Sequence, residues 1–211
     1  MKPSLGAILL AGGRATRLGG AVKPLLEIGG ETILARTVAA VRAAGAASVT
    51  VAGPATDLIT DVRWVREEPE FSGPAAAIAA ALTASDPAVD PEWVLVLACD
   101  LVHPDRVVPL LVADLPLLPA DTEGLCLGDA SSRPQWLTAV YRTAALRRTA
   151  ASLPDGGRGA PVHALIDDLA IAVLPVEDRL VRDIDTWEDL EEARRDSARD
   201  LSAIDAEEDS P

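Results

Sequence analysis

The chain has 211 residues, of which 49% are hydrophobic and only 3% aromatic, and it carries a formal net charge of −14. That length suits one α/β domain with an aliphatic core, and that charge excludes general binding to nucleic acid or to an anionic membrane. Fourteen Asp/Glu against five Lys/Arg over Val176–Pro211 give the C-terminal stretch a net of −9, so most of the acidity is gathered at one end. In chain order, Leu5–Ala11 is a short apolar run ended by glycines, which reads as a buried strand. Thr32–Gly45 carries Ile33, Leu34, Val38 and Val41 at helical spacing, with Gly45 as a stop. Ser48–Gly53 and Val62–Glu67 read as further strands, and Gly73–Ser85 as an alanine-rich helix opened by Pro74. Trp93–Asp100 is the strongest buried strand, and His103–Leu115 a helix that must accommodate Pro109. Gly124–Gly128 and Gln135–Tyr141 read as strands, Arg142–Leu153 and Pro161–Leu169 as helices, and Ala170–Val176 and Leu180–Asp185 as strands. A helix begins at Thr186, where Asp189 three residues on gives the spacing of an N-cap pair.

Alternating strands and helices imply a Rossmann-like α/β fold, a mostly parallel sheet with helices on both faces. The expected organisation is one domain over residues 1–196 and a polar, acidic, disordered tail over 197–211. Cys99 and Cys126 lie far apart in apolar surroundings and read as two buried thiols of a reducing compartment. With His103 and His163 they lack the clustering of a zinc site. The N-terminal apolar stretch is too short for a signal peptide, and no run reaches about eighteen apolar residues. The expectation is a soluble, cytoplasmic protein with no membrane and no nucleic-acid partner.

Four places could carry chemistry. The first strand runs into Ala11-Gly12-Gly13, where backbone N–H groups can approach an anion without an intervening Cβ. No Gly-Lys-Ser/Thr follows and no Gly-x-Gly-x-x-Gly is present, so neither the P-loop nor the dinucleotide fingerprint applies. Arg14, Arg17 and Lys23 follow within ten residues and could neutralise a polyphosphate; a plain strand-to-helix turn with solvated arginines is the alternative. Asp100 ends the strongest strand, at the sheet edge where α/β proteins bind ligands. A carboxylate there suits Mg²⁺, which takes one or two carboxylates plus substrate phosphates, although an N-cap role fits equally. Glu67 and Glu68 end another strand just before the Gly73–Pro74 helix start. Asp183 and Asp185 stand two apart in an extended stretch, hence on one face, as a further metal ligand or as capping acids. No Ser–His–Asp or Cys–His arrangement is readable.

The stretch from Leu10 to Gly30, "LAGGRATRLGGAVKPLLEIGG", resembles the signature of the MobA-like nucleotidyltransferases. "EEPEFSGPAAAIAAAL", "VLVLACD", "RPQWLTAVYR" and "DIDTWEDLEEA" follow in that family's order, so the resemblance spans about Leu5 to Ala193. It implies a nucleotide-diphospho-sugar transferase-like fold and, for the molybdenum cofactor guanylyltransferases within the group, transfer of GMP from GTP to Mo-molybdopterin with release of pyrophosphate. It further implies Mg²⁺ as cofactor and transient contact with molybdoenzymes or other cofactor-synthesis proteins. By resemblance, Leu10, Ala11, Gly12 and Gly13 hold the nucleotide, Glu68 contacts it, and Lys23 and Arg17 neutralise its phosphates. Asp100 is the implied Mg²⁺ ligand, and Asp185 matches a position on the second side of the metal. The chain departs from the family at Val22, where an Asp is common, at Glu68, where Asp is usual, and at Ala52–Gly53, where several relatives carry Asn. Other readings are a relative with another nucleotide or acceptor, such as a molybdenum cofactor cytidylyltransferase, a phospholactate guanylyltransferase or a sugar-phosphate nucleotidyltransferase, and a non-catalytic nucleotide-binding relic. The second glycine of Leu10-Ala11-Gly12-Gly13 favours guanylyl transfer, and retention of Arg17, Lys23 and Asp100 together disfavours the relic.

Overall fold

The computed structural model describes residues 3–13 and 21–208, with side chains to residue 199. Among the described residues there are nine strands: β1 (Leu5–Leu10), β2 (Glu27–Ile28), β3 (Glu31–Thr32), β4 (Ala46–Ala52), β5 (Arg63–Val65), β6 (Trp93–Ala98), β7 (Gly124–Gly128), β8 (Pro134–Arg142) and β9 (Ile171–Pro175). The helices are α1 (Ile33–Ala43), α2 (Pro74–Thr83), α3 (Pro104–Ala113), α4 (Thr143–Ser152), α5 (His163–Ile166) and α6 (Trp187–Glu208). Seven strands form one sheet in the order β5-β4-β1-β6-β8-β7-β9, while β2 and β3 make a separate hairpin. β5, β4, β1 and β6 run parallel; β8 is antiparallel to both β6 and β7, and β9 is parallel to β7. The expected mostly parallel sheet is thus present, with one reversed strand inside it.

The continuous apolar runs of β1 and β6 follow from burial on both faces. Alternate residues point to opposite sides. Leu9, Leu95 and Leu97 pack with Leu34, Val41, Val107 and Leu111 of α1 and α3. Ile8, Val94 and Val96 pack with Ile78, Leu82, Leu146 and Leu165 of α2, α4 and α5. A third, smaller core joins Ile28 and Ile33 to Val102, Ile184, Leu190 and Ala193, so it fastens the hairpin and α6 to the turn beyond β6.

Local signals set most helix ends. Thr32 caps α1 by accepting from the Ala35 N–H at 3.1 Å, and Gly45, at φ 101°, follows its end. Pro74 and Pro104 occupy the first turns of α2 and α3, and Pro109 is accommodated within α3. Thr186 and Asp189 form the expected reciprocal cap: the Asp189 N–H donates to Thr186 Oγ1 at 3.2 Å, and the Thr186 N–H donates to Asp189 Oδ2 at 2.7 Å. Two sequence expectations need correction. Leu180–Asp185 is not a strand; a 3-10 turn at Asp178–Leu180 precedes a single antiparallel bridge between Leu101 and Asp183. The Pro161–Leu169 helix reduces to the single turn of α5. Among the described residues no helix is long and apolar enough to cross a membrane.

Candidate active site

Chain order places β4 on one side of β1 and β6 on the other, so the order in which strands are added reverses between β1 and β6. Ligand crevices form beyond the strand ends at such points. The pairing there is in register, Leu10 opposite Ala98, and the Cys99 N–H donates to the Leu10 carbonyl at 3.0 Å. Gly12 and Asp100 therefore each follow two residues beyond paired positions. On the other side, the Ala11 N–H donates to the Ala52 carbonyl at 2.9 Å. A Cβ on Gly53 would lie 2.9 Å from the Ala11 carbonyl carbon, so glycine there is what lets the two loops touch. This accounts sterically for the departure at Gly53: a larger residue needs one of these backbones to move.

Two adjoining lobes of about 610 and 390 Å³ open at this edge. Gly12, Gly13, Lys23, Glu67, Phe71 and Asp100 line both. The larger lobe adds Ala11, Gly53, Pro54, Arg66 and Asp185, and the smaller adds Leu10, Gly73, Pro74 and Leu137. Of the residues singled out from sequence, Leu10, Ala11, Gly12, Gly13, Lys23, Asp100 and Asp185 thus come together. Arg14 and Arg17 lie outside the described residues. Glu68 is exposed and absent from the lining, whereas its neighbour Glu67 lines both lobes and accepts the Phe71 N–H at 3.0 Å. Arg66 and Phe71 had no sequence signal, because a turn after a three-residue strand shows no periodicity.

Lys23 begins a 3-10 turn with Pro24 buried beneath it. Its Nζ donates to Asp185 Oδ1 at 2.6 Å and lies 3.8 Å from Asp100 Oδ2. The Asp185 segment is stitched to the end of β6: the Ile184 N–H donates to the Asp100 carbonyl at 2.9 Å and the Val102 N–H to the Arg182 carbonyl at 3.2 Å. Asp100 Oδ1 is buried and has no hydrogen-bond partner among the described residues. Burial pushes the Asp100 carboxyl above the usual carboxylate range; the Lys23 ammonium pulls it back and the Asp185 charge adds to the rise. Asp183 is pushed up to about 7 by loss of hydration and by the Asp100 and Asp185 charges, although part of the residue remains in water. A buried carboxylate oxygen without a donor, beside a second carboxylate, is the hard-oxygen donor set that Mg²⁺ accepts. Among the described residues no three acidic, His or Cys side chains converge as a ready-made cage. His103 precedes α3 outside the lining, its pKa lowered by burial and then by Arg106. Cys99 lines the smaller lobe but is buried, and burial holds its thiol far above the ordinary range.

A parallel sheet whose switch point carries a glycine loop, a lysine and carboxylates defines an α/β enzyme that handles phosphorylated nucleotides. The chain belongs to the MobA-like NTP transferase family, whose domain matches residues 7–170, and it is a nucleotidyltransferase. A Synechococcus elongatus protein named "Probable molybdenum cofactor guanylyltransferase" is 33% identical over 183 residues, covering 82% of this chain and 89% of the relative. Among solved structures, the molybdopterin-guanine dinucleotide biosynthesis protein A of Archaeoglobus fulgidus aligns with a TM-score of 0.65 at 18% identity, over 92% of this chain and 99% of that one. The 2-C-methyl-D-erythritol 4-phosphate cytidylyltransferase of Thermus thermophilus gives 0.59 at 20% identity, over 92% and 98%. At those identities the two structures speak to the fold alone.

Proposed function

We propose that the enzyme transfers GMP from GTP to the terminal phosphate of Mo-molybdopterin, releasing pyrophosphate in a Mg²⁺-dependent reaction. The observation that carries this reading is the meeting of Lys23 with Asp100 and Asp185 beside the Gly12–Gly13 loop. The named relative in Synechococcus elongatus supports guanine as the base and the molybdenum cofactor as acceptor.

An oxygen of the acceptor phosphate attacks the α-phosphorus, the bond from that phosphorus to the bridging oxygen breaks, and pyrophosphate leaves with the electron pair. The attacking oxygen is already ionised at neutral pH, so no strong general base is required; His103, outside the lining, fits that economy. The task is positioning and charge neutralisation. Gly12 and Gly13 let backbone N–H groups approach the phosphates, and Lys23 offsets their charge. Asp100 and Asp185 would hold Mg²⁺, which supplies Lewis-acid stabilisation of phosphate charge. Glu67 fixes the Phe71 loop beside the nucleotide. We read the enzyme as cytoplasmic, in keeping with two free, buried thiols.

The test is pyrophosphate release with GTP, CTP, ATP or UTP and Mg²⁺, with and without Mo-molybdopterin. Turnover with GTP only when acceptor is present is the expected result. Turnover with CTP alone would replace guanylyl by cytidylyl transfer, and no turnover with any nucleotide would favour a non-catalytic relic.

A further inference from the structure

Phe71 stands out in a chain that holds a single phenylalanine. Its residue is 49% exposed, so the hydrophobic core does not account for it. Its φ is 62°, in the left-handed region, which a bulky side chain adopts at a cost on the order of 1–3 kcal/mol. Neighbouring groups impose that conformation. The Phe71 N–H donates to Glu67 Oε1 at 3.0 Å. Ser72 is buried, and its carbonyl accepts from the Gly159 N–H at 2.8 Å. Gly73, at φ 99°, then turns the chain into α2. On the other side Arg66 pairs with Glu70 at 2.8 Å, and its guanidinium carbon lies 5.9 Å from the Phe71 ring centroid. A strained, pinned backbone thus holds an aromatic ring at the boundary between the two lobes.

The larger lobe is lined by Gly12, Gly13 and Lys23, which suit phosphates, together with Arg66 and Phe71 of the segment between β5 and α2. Its volume of about 610 Å³ lies within the range of small-molecule sites, about 300–1,000 Å³. A ligand that carries both anionic phosphates and a flat heterocycle matches that lining. We infer that Phe71 is the stacking platform for the base of the bound nucleotide, a binding residue that adds affinity for the base without touching the reacting phosphates. This rests on the nucleotidyltransferase reading. A π-face stacks on any base, so Phe71 supplies strength, and purines gain more than pyrimidines because their stacking area is larger. Discrimination between guanine and adenine must then come from hydrogen-bonding groups elsewhere in the lobe.

The experiment measures binding of Mg²⁺–GTP and of Mg²⁺–tripolyphosphate, which lacks a base, to the full chain by calorimetry. Phe71→Ala should weaken GTP on the order of ten- to a hundred-fold and leave tripolyphosphate within about twofold of the parent. Phe71→Trp should restore GTP affinity and report nucleotide addition through quenched indole fluorescence. Equal weakening of GTP and tripolyphosphate by Phe71→Ala would mean that the loop had collapsed and would overturn the inference. Unchanged GTP affinity with weakened binding of the pterin acceptor would overturn it too, since the ring would then serve the other substrate. If the parent binds CTP and not GTP, the guanylyl reading fails separately. Stacking is then judged by the same comparison with CTP: weakening of CTP alone supports it, and no weakening refutes it.

Discussion

Asp100→Asn separates the chemistry of the site from its stability. The substitution keeps shape and removes one negative charge. At 3.8 Å from Lys23 Nζ the lost attraction is about 4 kcal/mol gross at an effective dielectric of about 20. Against it stands the cost of keeping a carboxylate away from water, several kcal/mol per ion, together with repulsion from Asp183 and Asp185. These terms nearly cancel, and the backbone bond from Ile184 to the Asp100 carbonyl is untouched. We expect a net stability change within about 1 kcal/mol, a Tm shift of roughly 2–4 °C in either direction for a chain of this size. Activity should respond very differently. Loss of one group that stabilises transition-state charge lowers kcat/KM by about 10²–10³-fold. Scanning calorimetry and pyrophosphate release measured on the same preparation decide the matter. A Tm drop beyond about 8 °C would make Asp100 a structural keystone. A kcat/KM within about threefold of the parent would remove it from the reacting centre.

Lys23→Met should strengthen Mn²⁺ binding to the nucleotide-free protein by about tenfold in an electron paramagnetic resonance titration, because the ammonium 2.6 Å from Asp185 then no longer competes with a cation; unchanged affinity would mean that the ion pair exerts no such competition. Arg147→Met removes bonds to Asp90 Oδ2 at 2.8 Å, to the Leu82 carbonyl at 2.8 Å and to Ser85 Oγ at 2.9 Å, and leaves Asp90 without its cation. It should lower stability by about 3 kcal/mol by denaturant titration, and a loss below about 0.5 kcal/mol would class the cluster with ordinary surface pairs. Glu123 has its pKa lowered chiefly by the hydrogen bond from Arg148, so its stabilisation is present above the unfolded value of 4.5 and lost as pH falls through the folded one. Glu123→Gln should therefore flatten the decline of Tm below pH 4.5, and an unchanged acid limb would refute that assignment.

The legible part of the molecule is the part governed by local rules. Buried parallel strands read as apolar runs, so β1 and β6 stood out, and with them the residues just past their ends, Gly12 and Asp100. Thr186 and Asp189 were legible as a cap because capping depends on three-residue spacing. Leu180–Asp185 misled because a short run holding Leu180, Val181 and Ile184 has the composition of a strand. Its backbone instead docks on Leu101 and Val102, an arrangement that only the tertiary structure supplies. Glu67 and Glu68 show the same limit at one residue's resolution. β5 ends at Val65, and beyond it no period dictates which carboxylate turns inward. The pairing of Lys23 with Asp185 joins residues 162 positions apart and leaves no mark on either neighbourhood.

The in-register ladder between β1 and β6 has a mechanical consequence. Because Leu10 faces Ala98 directly, the glycine loop and Asp100 spring from neighbouring rungs of one buried ladder and shift together. Lys23 and Asp185 arrive instead on a short turn and a single bridge, both fastened to the small core around Ile28 and Ile184. The cleft thus has one wall on a continuous ladder and another on a turn and a bridge. The entropy of ordering the ladder is spent when the protein folds. Gains from engineered rigidity should be sought in the Lys23 turn and the Asp185 segment, which lie outside that ladder.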